Sequence, residues 1–126
     1  MSATNPSKIT AQLVSVWRED SLTGAALAER DDSSGWNLVF ERSHAFTDAD
    51  RKSGQDNYCI TNEAGTAIYG GVTGWAIKGA DLTLTLDDKT SGELGLAGEL
   101  TITLTFDASS VAELKAALTE ILAPRA

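Results

Sequence analysis

Histidine, methionine and cysteine occur once each in this sequence, and proline twice. A lone cysteine, Cys59, cannot close an internal disulfide, which excludes the disulfide framework of a small secreted domain. A lone histidine, His44, excludes a helical zinc motif, which needs two. Basic residues are scarce: 10 Lys and Arg stand against 18 Asp and Glu, a formal net charge of −8. That deficit argues against nucleic acid and anionic membrane as partners. It permits a basic protein partner, although solubility alone also accounts for it. No apolar run approaches the ~20 residues that span a bilayer as a helix. Residues 1–12 hold neither the basic lead nor the apolar core of a secretory leader, so the cytoplasm is the expected compartment.

What is present is mostly β-forming. A chain of 126 residues is expected to form one domain, 1–126, able to fold without disulfide or metal. Residues 1–7 are polar, contain Pro6 and read as a flexible end. The centre of the pattern is Asp56–Val72, where Tyr58–Thr61 and Ala67–Tyr69 flank Asn62-Glu63-Ala64-Gly65. A glycine closing such a connection predicts a hairpin with a left-handed residue, from which the other strands could pair outward. Gly70-Gly71 then marks a bulge or a close backbone approach. Ile9–Arg18 reads as one strand whose imperfect alternation implies cover on both faces. Leu22–Glu29 is rich in Ala and Leu, but its shortness and Gly24 favour a strand over a helix. In the next strand Trp36, Leu38 and Phe40 share one face, with Asn37, Val39 and Glu41 on the other.

Ser43–Gln55 has no β periodicity and reads as a long loop of the kind that often carries function. Trp75–Lys78 and Leu82–Leu86 form a further pair, and Leu100–Phe106 repeats the Leu/Thr alternation of Leu82–Leu86. Between them, Asp87–Gly98 holds a helical turn or two interrupted by Gly92 and Gly95. Residues 110–122 read as a helix with a Ser110–Glu113 capping box, a stripe of Val111, Leu114, Leu118, Ile121 and Leu122, and Pro124 as its stop. The expected class is α+β, mostly β: an antiparallel, twisted sheet of about seven or eight strands, open or curled into a partial barrel. The C-terminal helix is expected on its apolar face, against Leu82, Leu84, Leu86, Leu100, Ile102 and Leu104.

Chemistry-bearing patterns are few. Cys59 and His44 would be the minimum for a thiol nucleophile, but Cys59 lies within a strand where a small packing residue fits better. Asp48-Ala49-Asp50 opens like a calcium loop, yet Ser53 stands where glycine is required and Cys59 where the final acid belongs. The glycines of residues 65–74 lack the phosphate-loop lysine and its strand–loop–helix setting. The Trp and Tyr residues lie at or in strands, where packing explains them before a stacking platform does. No catalytic residue, metal ligand or cofactor follows from these patterns.

Asp56-Asn57-Tyr58-Cys59-Ile60, followed by Ala67-Ile68-Tyr69-Gly70-Gly71-Val72, resembles the immunity protein 10 family of bacterial polymorphic-toxin systems. The later order, a Leu/Thr strand, Glu93-Leu94-Gly95-Leu96, another strand and a terminal amphipathic helix, is also similar, so the resemblance covers roughly residues 9–123. It implies a small, mostly β, cytoplasmic protein that binds and neutralises a cognate toxin domain, without catalysis. If that toxin is basic, acidic loop residues would face it, and position and charge select Glu29, Asp31, Asp32, Asp48, Asp50 and Asp56. Two other classes stay open: a ligand-binding β domain or enzyme with a pocket under residues 43–55, and a structural module that forms a homodimer or other assembly through an exposed edge or helix face.

Overall fold

The computed structural model describes residues 6–30, 35–53 and 57–123. Nine strands among them form two sheets. The smaller sheet has the order β1 (Lys8–Ala11), β9 (Glu99–Leu104), β8 (Asp81–Leu86), β7 (Val72–Lys78). The larger runs β2 (Leu13–Arg18), β3 (Leu22–Ala28), β4 (Asn37–Ser43), β5 (Cys59–Asn62), β6 (Ala67–Tyr69). All pairings are antiparallel except β1 with β9, which is parallel. The mostly β class with a C-terminal helix is as the sequence implies. The single sheet is replaced by two, and no barrel closes.

The break between sheets falls inside the stretch read as one strand. Thr105 N–H donates to the Ala11 carbonyl on the β9 side, while Gln12 N–H donates to Ala28 of β3. Inward-facing residues change parity there: Ile9 and Ala11 pack toward the core before Gln12, Val14 and Val16 after it. One residue out of phase lets the chain leave one sheet and enter the other with apolar side chains inward on both. The hairpin forms as expected, with Gly65 at φ 81 and Asn62 Oδ1 accepting from Ala64 and Thr66 N–H at 3.1 and 3.0 Å. It does not organise strands on both sides: β5 pairs with β4, and β6 is the sheet edge.

Gly70-Gly71 is the second crossing, from β6 to β7. Both glycines have positive φ, 79 and 99. A Cβ on Gly71 would overlap the Thr90 hydroxyl, so the close approach is real; the bulge lies one step further on, between Val72 and Gly74. Buried Tyr58 fastens the corner: its hydroxyl accepts from Val72 N–H at 2.8 Å and donates to the Val72 carbonyl at 3.3 Å. Burial raises its pKa above the ordinary tyrosine value, outweighing the opposing effect of the Val72 bond.

The helices differ from expectation in instructive ways. Residues 43–55 are not all loop: α1 (Asp48–Ser53) begins at a reciprocal cap, Thr47 N–H to Asp50 Oδ2 at 2.8 Å and Asp50 N–H to Thr47 Oγ1 at 3.1 Å. The helix α2 (Asp88–Leu94) runs through Gly92 and stops at left-handed Gly95, because its Asp87 cap and buried Thr90 and Leu94 hold it. The last helix, α3 (Ala108–Ile121), starts two residues before the Ser110 cap expected for it. Asp107 is the cap instead, its carboxylate accepting from Ser110 N–H at 2.8 Å. Pro124, the expected stop, lies outside the described residues.

The surface beneath α3 is also a correction. Its nearest strands are β3, then β2 and β4, not the two Leu/Thr strands. On the core face of β3 sits Ala25, and on α3 sits Ala117, both fully buried; small side chains let helix and strand approach closely. Arg42, on the same face of β4, caps the far end, its Nη1 donating to the carbonyls of Ile121 and Ala123 at 3.3 and 2.7 Å. Leu82, Leu84, Leu100 and Ile102 are fully buried in the same continuous core as Leu114 and Leu118.

Candidate functional site

With both core faces turned inward, each sheet shows its other face to solvent. On the smaller sheet that face carries Thr83, Thr85, Thr101 and Thr103, a wettable surface. On the larger sheet, the register aligns two outward rows across all five strands: Ser15, Ala26, Val39, Thr61, Ala67, which is small and uncharged, and Trp17, Gly24, Glu41, Cys59, Tyr69. The Trp17 ring lies against Gly24, where a Cβ would overlap its indole atoms. Tyr69 is 45% exposed, and Leu13, on the same face, 41%. At the Tyr69 end, Leu22, Phe46, Asp50 and Asn57 join the row to line a cleft of ≈ 240 Å³ beneath α1.

The electrostatics of this cleft are one-sided. Glu41 and Asp50 line it, and among the described residues no Lys, Arg or His does. Asp50 is held by Thr47 N–H. Glu41 is half-buried and its carboxylate has no hydrogen-bond or ion-pair partner among the described residues.

The acids selected from the sequence scatter. Asp48 and Asp50 both belong to α1, beside the cleft. Asp48 is almost fully exposed and pairs with Arg51 at 3.1 Å. Glu29 follows β3 at the end away from Leu22, about 20 Å along the strand, its Oε1 accepting from Trp36 N–H at 3.3 Å and its Oε2 pairing with Arg30 at 3.7 Å. Asp31, Asp32 and Asp56 lie outside the described residues. Glu41, Leu22 and Phe46 were not selected from the sequence, and Trp17 and Tyr69 were weighed there only as core or interface packing residues before a stacking platform. The available signal was the imperfect alternation: β2 holds apolar residues in both parities, so one must face outward.

Cys59 is not a core residue as its strand position implied. It is half-buried, on the solvent side of the larger sheet, with Thr61 Oγ1 at 3.8 Å. His44 does not serve it: Nδ1 lies 3.0 Å from the Asp20 carbonyl, which can only accept, and Nε2 lies 2.8 Å from Thr23 Oγ1. Among the described residues, no group of three or more His, Cys, Asp or Glu is placed to hold a metal ion. No described helix is long and apolar enough to cross a membrane. The cleft beneath α1 lies under residues 43–55 and is smaller than the roughly 300–1,000 Å³ typical of small-molecule sites, while a second cleft on the other side of Phe46, lined by Thr23, Arg42, Ser43, His44 and Glu120, reaches ≈ 380 Å³.

The structure is thus a two-sheet, mostly β fold with an aromatic and acidic row on one outer face. Residues 10–112 match the family model described as Immunity protein 10, and the chain belongs to that family. Membership implies an immunity function and a cognate toxin partner. No curated protein and no solved structure matches the chain. The residues that carried the resemblance are structural in this fold: Tyr58, Gly70, Gly71 and Val72 build the corner between the sheets, while Cys59 and Tyr69 face outward.

Proposed function

We propose that this protein binds a toxin domain made by its own cell and neutralises it stoichiometrically, without turnover. The observation that carries this reading is the family match over residues 10–112. The bonding of both His44 nitrogens to Asp20 and Thr23 supports it by weighing against a Cys59–His44 catalytic pair. The chain acts as one domain in the cytoplasm, where the toxin is made. The charge of −8 suits a basic toxin, with carboxylates such as Asp48 and Asp50 steering encounter. Association then slows as salt rises, because charges are screened beyond ~10 Å in about 0.1 M salt.

The test is co-expression with the C-terminal domain encoded by the adjacent toxin gene. Cells should survive, and the purified pair should co-elute at equimolar ratio. Failure of both overturns the reading for that pair. Full protection at a small fraction of the toxin's concentration would replace binding with an enzymatic mechanism.

A further inference from the structure

The larger sheet's outer face is unusual for a surface in water. Edge to edge, the row nearest the Cys59 end of β5, next to the uncharged Ser15–Ala26–Val39–Thr61–Ala67 row, places an aromatic on each edge strand, small residues inside them and a carboxylate in the middle: Trp17, Gly24, Glu41, Cys59, Tyr69. The Trp17 ring covers Gly24 and is thereby held flat in the row. Partly desolvated carboxylates are ordinarily paired. Among the described residues Glu41 has no partner, and those lining the cleft around it include a second carboxylate, Asp50, and no cation. The other sheet's outer face has threonines at the equivalent positions and shows no such arrangement.

We propose that this face is the toxin-docking surface and that the Glu41–Asp50 cleft receives an arginine side chain of the toxin. The proposal rests on the toxin-binding reading above and specifies its surface. A planar guanidinium suits the site better than an ammonium: it can bond a carboxylate through two N–H groups while stacking on Tyr69 or Phe46. The cleft's ≈ 240 Å³ fits one side chain. Trp and Tyr flanking a central charge pair are the residue types that dominate interface energetics, and the exposed Leu13 extends the apolar area around them. Glu41 is thus a specificity-determining contact whose carboxylate bonds to no described residue of the fold.

The experiment is a surface-plasmon-resonance titration of the full chain against the adjacent gene's C-terminal domain, with denaturation midpoints measured alongside. Wild type should bind. Glu41→Gln keeps the side chain's shape and should keep the midpoint, yet weaken binding at least about thirtyfold through faster dissociation. Tyr69→Ala should weaken it by at least about tenfold. Thr85→Lys, on the exposed face of the smaller sheet, should bind as wild type. Maleimide reaction of Cys59, which lies in the row, should slow when toxin is present. Binding that survives both Glu41→Gln and Tyr69→Ala, or is lost instead in Thr85→Lys, overturns this surface while leaving the function standing. Absence of binding by wild type overturns the function for that pair, and this surface with it. Dimeric mass by light scattering, with Cys59 already protected before toxin is added, would assign the face to a second copy of the chain and overturn the proposal.

Discussion

Replacing Gly71 with alanine tests the corner that joins the two sheets. Two costs arise there. At φ 99 the backbone is left-handed, a conformation that costs a residue with a Cβ about 1–2 kcal/mol. The new methyl would also overlap the Thr90 hydroxyl and lie within 2.9 and 3.0 Å of Thr90 Cβ and Cγ2. Thr90 cannot easily yield. It is 1% exposed, its N–H is bonded to Asp87 Oδ1 at 2.8 Å, and Asp87 N–H is bonded in turn to the Gly71 carbonyl at 2.9 Å. Overpacking of this kind costs about 1–3 kcal/mol, so Gly71→Ala should destabilise by about 2–5 kcal/mol in total. That is a large part of the roughly 5–15 kcal/mol that holds a typical domain folded. Gly65→Ala separates the two costs, because Gly65 shares the positive φ, at 81, but has nothing within 4 Å of a built Cβ. It should cost only about 1–2 kcal/mol. Urea denaturation reads both, the Gly71 variant's midpoint falling by about 1 M or more with unchanged slope. Combining Gly71→Ala with Thr90→Ala removes Oγ1, the worst overlap, and Cγ2, leaving only the 2.9 Å approach to Cβ, so the double variant should cost less than the two singles added together. Equal losses for Gly65→Ala and Gly71→Ala, or strict additivity in the double variant, would refute the close approach.

Leu118→Ala, at a fully buried site on α3, should cost about 2–5 kcal/mol, and an unchanged thermal midpoint would mean that the helix is not docked. At alkaline pH the unfolded tyrosine ionises near 10.0 while buried Tyr58 keeps its proton to higher pH. Its contribution is therefore complete below that value and is lost as pH rises through the folded pKa; Tyr58→Phe should flatten this part of the stability profile. At acid pH the sign reverses for Asp87, held below the usual carboxylate range first by Thr90 N–H and then by the Thr90 hydroxyl. Its contribution is present above the ordinary 3.8 and is lost as pH falls through the folded value, so an Asp87→Asn variant should show a shallower acid limb in the same titration.

Much of the fold was local enough to be legible in sequence. The Leu/Thr strands and the terminal helix follow from side-chain periods of 2 and 3.6, which a chain expresses before it meets any partner. The Asn62–Gly65 turn follows from a glycine at the position that needs positive φ. The motif around Tyr58 and Gly70-Gly71 pointed to the family without revealing why those residues stand there. The reason is tertiary: Tyr58 meets Val72, and Gly71 meets Thr90, across a sheet-to-sheet corner.

What the sequence by itself determined, then, is the placement of most strands and of the terminal helix, an acidic composition and the immunity family. Tertiary structure alone decided that the stretch around Gln12 divides between two sheets, because pairing partners distant in sequence, Ala28 and Thr105, claim its two halves. It also decided that α3 lies nearest β3, because close approach depends on small side chains such as Ala25, not on which strand alternates most cleanly. The candidate site shows the same division most plainly. Trp17, Glu41 and Tyr69 are 52 residues apart in chain order from first to last and meet only through strand register. A strand with apolar residues in both parities does not state which parity faces water; the sheet that packs against it does.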